Sequence, residues 1–168
     1  MVPVFPAVYT PLCYTAAQER TNWGRRKEYE VENKNTDTPV QTAIKKAIDL
    51  LLQGRVTEWI ELMSNDIVFE FPFAPAGYPQ QIVGRQAMAQ HLAGFPKAIQ
   101  ISAVTDYHIH QTIDPDVAVV EFAITGTMVS SGKPYNQRYI CVVETNNGKI
   151  SRYRDYWNPL VVLGASEG

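Results

Sequence analysis

The order of hydrophobic periods along the chain predicts an α+β fold. Apolar residues recur at helical spacing from about residue 38 to residue 95, and from about residue 100 onward the period changes to two. Turn signals divide the second part into runs long enough to pair as antiparallel neighbours.

Thr38 before Pro39 supplies an N-cap and first-turn signature, and Gly54 suits the position just past a helix end. Between them Ile44, Ala47, Ile48, Leu51 and Leu52 form one apolar face, which predicts a first helix. Val56, Trp59, Ile60 and Met63 follow at helical spacing and predict a second, ended by a turn at Ser64-Asn65-Asp66. A strand over Ile67–Phe73 then runs into the loop FAPAGYP (Phe73–Pro79). Gly84–Phe95 reads as a third helix ended by Pro96, with Met88, His91, Leu92 and Phe95 on one side, so His91 is expected to point inward.

Period-two runs cover Gln100–Ile113, Val117–Val129, Tyr135–Glu144 and Lys149–Trp157. Asp114-Pro115-Asp116, Ser131-Gly132-Lys133-Pro134 and Asn146-Asn147-Gly148 connect them as a meander. Such a sheet keeps one face dry, and three short helices leave part of that face uncovered, so a pocket is expected between the layers.

Composition narrows the function classes. A chain of 168 residues with 45% apolar residues can bury a core without disulfide or metal support. A formal net charge of −2 gives no footprint for nucleic acid, and no apolar run approaches a membrane span, so neither is expected as a partner. Cys13 and Cys141 lack redox or zinc spacing, which points to free thiols and a cytoplasmic setting. Prolines at 3, 6 and 11 break the apolar helix of a targeting segment, and Glu19–Asp37 is polar without periodicity. Residues 1–37 are therefore read as an irregular N-terminal extension, and 38–165 as the folded domain. No serine-nucleophile, phosphate-loop or dinucleotide motif occurs, so no cofactor is expected. Asp106, His108 and His110 have a possible metal spacing, but they lie opposite the apolar set Ile101, Ala103, Tyr107, Ile109 and Ile113, so no metal site is expected there. Glu121 is expected to face outward for the same reason.

The strand entering FEFPFAPAGYP, the segment IVGRQAMAQHL (Ile82–Leu92) and the ending GKISRYRDYWNPL (Gly148–Leu160) resemble the SnoaL-like polyketide-cyclase proteins of the nuclear transport factor 2-like superfamily. Arg154-Asp155-Tyr156-Trp157-Asn158-Pro159 is most similar to the phenazine-biosynthesis A/B proteins. The resemblance implies a conical roll of curved antiparallel sheet enclosing a pocket with the three helices, and a homodimer through the outer sheet face. It implies that Asp155 stands where phenazine A/B proteins carry a glutamate, and that His91 corresponds to their pocket histidine. Phe71 occupies the position of the ketosteroid isomerases' aspartate, which disfavours that chemistry. The run Glu121-Phe122-Ala123-Ile124 likewise lacks the arginine–aspartate pair of the limonene-epoxide hydrolases.

Strand alternation places Tyr153, Asp155 and Trp157 on one face and Arg152, Arg154 and Tyr156 on the other. A carboxyl group among aromatic walls is pushed toward neutrality and can both give and take a proton. The alternative is a strand-end aspartate neutralised by a neighbouring arginine. His91 is the natural second acid/base, or else a core histidine satisfied by one hydrogen bond. Trp59, Tyr78, Tyr135 and Tyr139 are candidate walls for a small hydrophobic molecule, without an assigned chemical role. Two functions follow: a cofactor-independent acid/base enzyme that cyclises, condenses or isomerises a small apolar carbonyl compound, and a non-catalytic ligand-binding or dimerisation module.

Overall fold

Thr38 opens the domain with a reciprocal cap. Its hydroxyl accepts from the Gln41 amide at 3.3 Å, while the Gln41 side chain accepts from the Thr38 amide at 3.1 Å. The computed structural model describes residues 36–166, and most of the expected extension 1–37 lies outside them. Helix α1 (Pro39–Leu52) buries Val40, Ala43, Ile44, Ala47 and Leu50. Leu52, expected on that face, is turned out to solvent, because two residues rotate a helix by about 200° and Leu50 holds the inward position. Gly54, at φ +66°, then reverses the chain, a conformation that favours glycine.

Helix α2 (Val56–Glu61) leads directly into β1 (Met63–Glu70). The turn expected at Ser64–Asp66 is absent. Met63 and Ile67 are both fully buried, and a register shift between Met63 and Val68 absorbs the polar residues within the strand. After the loop, a short β2 (Gln81–Val83), not foreseen from sequence, pairs with β1, and α3 (Arg85–Leu92) follows. The third helix therefore stops before Phe95. Pro96 does not end it but sits in the first turn of a separate one-turn helix, α4 (Phe95–Ala98), where its missing N–H costs nothing.

Strands β3 (Ile99–Gln111), β4 (Val117–Met128), β5 (Pro134–Asn146) and β6 (Lys149–Trp157) form the expected meander. The sheet order is β2-β1-β6-β5-β4-β3, with β1 parallel to β6 and all other pairs antiparallel. That parallel pair closes the helical half of the chain onto the end of the meander. Irregularities in β3, one of them at Asp106 with φ +50°, bend the sheet. Gly126 permits the close approach of β3, because a Cβ there would lie 2.5 Å from the Gln100 carbonyl oxygen.

A helix the sequence reading missed, α5 (Pro159–Ser166), starts where Asn158 caps the Leu160 amide at 3.1 Å. Gln137, almost fully buried, donates to the Asn158 carbonyl at 2.9 Å and accepts from its amide at 3.2 Å, fixing the entry to α5. The opposite sheet face carries ion pairs: Arg152–Glu70 at 2.8 Å, Arg154–Glu144 at 3.0 Å and Arg138–Asp106 at 2.7 Å. His110 and Glu121 meet there at 2.9 Å, and His108 is exposed on the same side, so these three side chains lie away from the dry face as expected. No described helix is long and apolar enough to cross a membrane.

Candidate functional site

Between the helices and the dry sheet face lies a cavity of about 320 Å³. One wall comes from Leu51 and Val56 and from Trp59 of α2, a second from Phe69 and Phe71 at the end of β1, and a third from Phe122 and Ile124 of β4. Met88, His91 and Leu92 of α3 line it as well, and Val162 of α5 helps to close it. Aromatic rings set its shape. Phe69 and Tyr153 stack at 4.5 Å, Trp59 meets both at about 6 Å, and Phe122 and Tyr139 stack at 4.9 Å.

Strand β6 contributes Tyr153, Asp155 and Trp157 to the lining, the alternation expected from sequence. Asp155 is the one carboxylate in that lining among the described residues. Arg152 and Arg154 point to the other face and are engaged with Glu70 and Glu144, so no guanidinium neutralises it. Asp155 is half-buried and lines the cavity. Desolvation raises its pKa from 3.8 to about 7, opposed by a hydrogen bond from the Cys141 thiol, whose sulfur lies 3.7 Å from Oδ1. The carboxyl is thus poised to exist in both protonation states near neutrality.

Cys141 sits directly across from Asp155 in the β5–β6 ladder and is fully buried. Burial, and then the Asp155 charge, hold its thiol well above the ordinary range, so it is a neutral donor rather than a nucleophile. Tyr135 and Tyr139, expected only as walls, share a hydrogen bond of 2.8 Å between their hydroxyls. Desolvation raises both pKa values, and the Asp155 charge raises both further, which places the pair within electrostatic reach of the carboxylate.

His91 lines the cavity but is exposed, at its mouth rather than in the core, with its ring 5.7 Å from Phe71. The inward stripe of α3 is completed by buried Met88 and half-buried Leu92, and the short helix leaves His91 at the rim. Desolvation lowers its pKa, favouring the neutral ring. Both residues line the same cavity, and no direct hydrogen bond joins His91 to Asp155 among the described residues. Tyr78 is also at the rim, 6.2 Å from Trp157. Trp59, Tyr135, Tyr139, Tyr153 and Trp157 line the interior. The described residues contain no cluster of three or more histidine, cysteine or acidic side chains able to hold a metal.

Comparison with known proteins agrees with this architecture. A SnoaL-like domain matches residues 44–153. The chain is 38% identical over 122 residues to the PhzA/B-like protein PA3332 of Pseudomonas aeruginosa, covering 73% of this chain and 86% of that one. A crystal structure of a candidate isomerase from Bacillus subtilis superposes with a TM-score of 0.72 at 38% identity, over 76% of this chain and 94% of that one. At the level of fold alone, RV0760c of Mycobacterium tuberculosis, solved with estradiol-17beta-hemisuccinate, gives a TM-score of 0.63 at 21% identity, over 72% of this chain and 95% of that one.

Proposed function

The chain belongs to the SnoaL-like family, and on that premise we propose that it is a cofactor-independent acid/base enzyme acting on a small apolar carbonyl compound. One observation carries the reading: a carboxyl group unpaired with any guanidinium, with a pKa of about 7, facing an aromatic cavity. Asp155 takes a proton from the carbon beside the carbonyl. The C–H pair becomes a C–C double bond, and the carbonyl π pair moves onto oxygen as an enolate. The same carboxyl returns the proton to that carbon or to a conjugated one, or the enolate carbon attacks a second carbonyl, whose π pair moves onto its oxygen and takes the proton back from Asp155. Cyclisation, condensation and isomerisation share this first step, and none needs an oxidant; a condensation takes a second carbonyl compound as its other substrate. Such a proton transfer contributes roughly 10²- to 10⁴-fold in rate, with positioning in the cavity adding to it.

His91, at the mouth, serves in this reading to orient the substrate's outer end. Its exchange of a second proton is the lesser role, because it is exposed at the mouth and makes no direct hydrogen bond to Asp155 among the described residues. The test is deuterium exchange at the α-carbons of 2-tetralone, a fused bicyclic ketone, followed by NMR in D₂O. Exchange above the buffer rate is expected from the native protein and not from Asp155→Asn, with His91→Ala losing less than about tenfold. Equal exchange by native protein and Asp155→Asn would exclude the role.

The rival reading is a binding module, favoured by the dominance of apolar walls and by the steroid ester held by RV0760c on the same fold. It expects saturable 2-tetralone binding with no exchange. A homodimer is also proposed, through the outer sheet face, where Ile140 is 48% exposed beside half-buried Val142 and Tyr156. Sedimentation of the native protein at twice the chain mass, and at the chain mass for Ile140→Asp, is expected. A native monomer would refute it.

A further inference from the structure

We propose that the Tyr135–Tyr139 hydroxyl pair is the receptor for the ligand's oxygen, which makes the ligand an acceptor such as an enolisable ketone rather than a plain hydrocarbon or a cation. This deepens the enzymatic reading and rests on the same cavity.

Two phenolic hydroxyls carry two donor hydrogens, and one of these is consumed by the 2.8 Å bond between them. Whichever hydroxyl accepts that bond keeps its own hydrogen; the Gln137 side chain, which also bonds Tyr135, lowers the Tyr135 pKa and so donates rather than accepts, leaving that hydrogen without a protein acceptor among the described residues. The uncommitted hydrogen belongs to a pair that lines the cavity, where a buried donor without a partner costs free energy until something accepts from it. A hydroxyl that is already accepting a bond is also the better donor, because each bond in a chain polarises the next.

Position supports this assignment. Phe122 stacks on Tyr139 at 4.9 Å and holds its ring in place, and Tyr135 is almost wholly buried, so the pair is fixed before any ligand arrives. Asp155 lies on the neighbouring strand, with its charge felt at both hydroxyls. A carbonyl oxygen held by the pair therefore sets its α-carbon toward the carboxylate side, and the developing enolate oxygen finds a donor that needs no reorientation. His91, exposed at the mouth, is poorly placed for that work.

Binding of two uncharged probes tests the proposal without requiring turnover. 2-Tetralone and tetralin share a skeleton and differ in one acceptor oxygen. Their affinities are read by quenching of Trp59 and Trp157, both in the cavity wall, at pH 8.5, where Asp155 is ionised and has no proton to offer. The native protein is expected to prefer the ketone about tenfold, the value of one good hydrogen bond in a dry site. In the double variant Tyr135→Phe, Tyr139→Phe the preference should fall below about twofold while tetralin still binds. A double variant that keeps the preference, or a native protein that has none, overturns the proposal. Should the double variant not fold, Tyr139→Phe alone decides, with a loss of at least about threefold expected and an unchanged preference refuting. Asp155→Asn separates this claim from the catalytic one. It should retain the ketone preference while losing exchange, and a native protein that shows the preference without exchange would sink the enzyme reading and leave the receptor standing.

Discussion

Replacing Asp155 with asparagine should stabilise the protein in alkaline solution while abolishing its chemistry. The native carboxyl keeps its proton from pH 3.8 up to about 7, a range in which the unfolded one has lost it. The folded state therefore binds more protons than the unfolded state there, and stability falls as pH rises through that window. A midpoint moved from 3.8 to about 7 corresponds to about 4 kcal/mol of lost stability once both states are ionised. Roughly 1.5 kcal/mol of this has accumulated by pH 5, and the rest appears between pH 5 and 8.5. Discounting for relaxation and water entry leaves roughly 2 kcal/mol as the pH-dependent advantage of Asp155→Asn, or about 4–8 °C in Tm for a chain of this size. The amide conserves the shape of the carboxylic acid and keeps an oxygen for the Cys141 thiol, so it removes the ionisation with little repacking. Differential scanning calorimetry of both proteins at pH 5 and pH 8.5 measures the difference directly. A Tm gain that is the same at both pH values would refute the reasoning, because a packing effect has no reason to follow the titration of this group.

Other outcomes follow from the same structure. Cys141→Ala removes the hydrogen bond that favours the Asp155 carboxylate, so the pH at which α-exchange rises should move upward, while Cys141→Ser should restore or lower it; an unshifted profile for both would show that the thiol does not act on the carboxyl. Gln137→Ala removes the buried side chain that bonds both the amide and the carbonyl of Asn158, leaving only the Val161 amide on that carbonyl at 3.3 Å, and should cost about 1–3 kcal/mol in denaturant unfolding; a loss below about 0.5 kcal/mol would mean that the entry to α5 is held by other contacts.

Much of this arrangement is legible in the residues because it depends on local periodicity. Alternation in β6 put Tyr153, Asp155 and Trp157 on one face, and the Thr38-Pro39 start and Asn147-Gly148 turn have strong local chemistry, with φ values of +51° and +73° in the turn. The partner of Asp155 was hidden. A plain hairpin continued from the Asn146–Lys149 pair would set Asp155 opposite Ile140, but an irregularity between Glu144 and Thr145 shifts the register by one and brings Cys141 there instead. The parallel pairing of β1 with β6 is equally non-local, and no pattern in either strand encodes it. His91 satisfied the helical stripe, yet a stripe says which side a residue faces and not how far along the helix the core extends. Helix α5 was legible in principle, since Asn158-Pro159 repeats the cap-and-proline signal of Thr38-Pro39, but its apolar run reads equally well as a strand end.

The most direct test is the titration of Asp155 itself in the ligand-free protein, by the carbonyl stretch of its protonated carboxyl in infrared difference spectra between the native protein and Asp155→Asn. A midpoint near 7 is the expected result. A midpoint near 4, the range of a solvated aspartate, would contradict the claim that the cavity keeps this carboxyl ready to move protons.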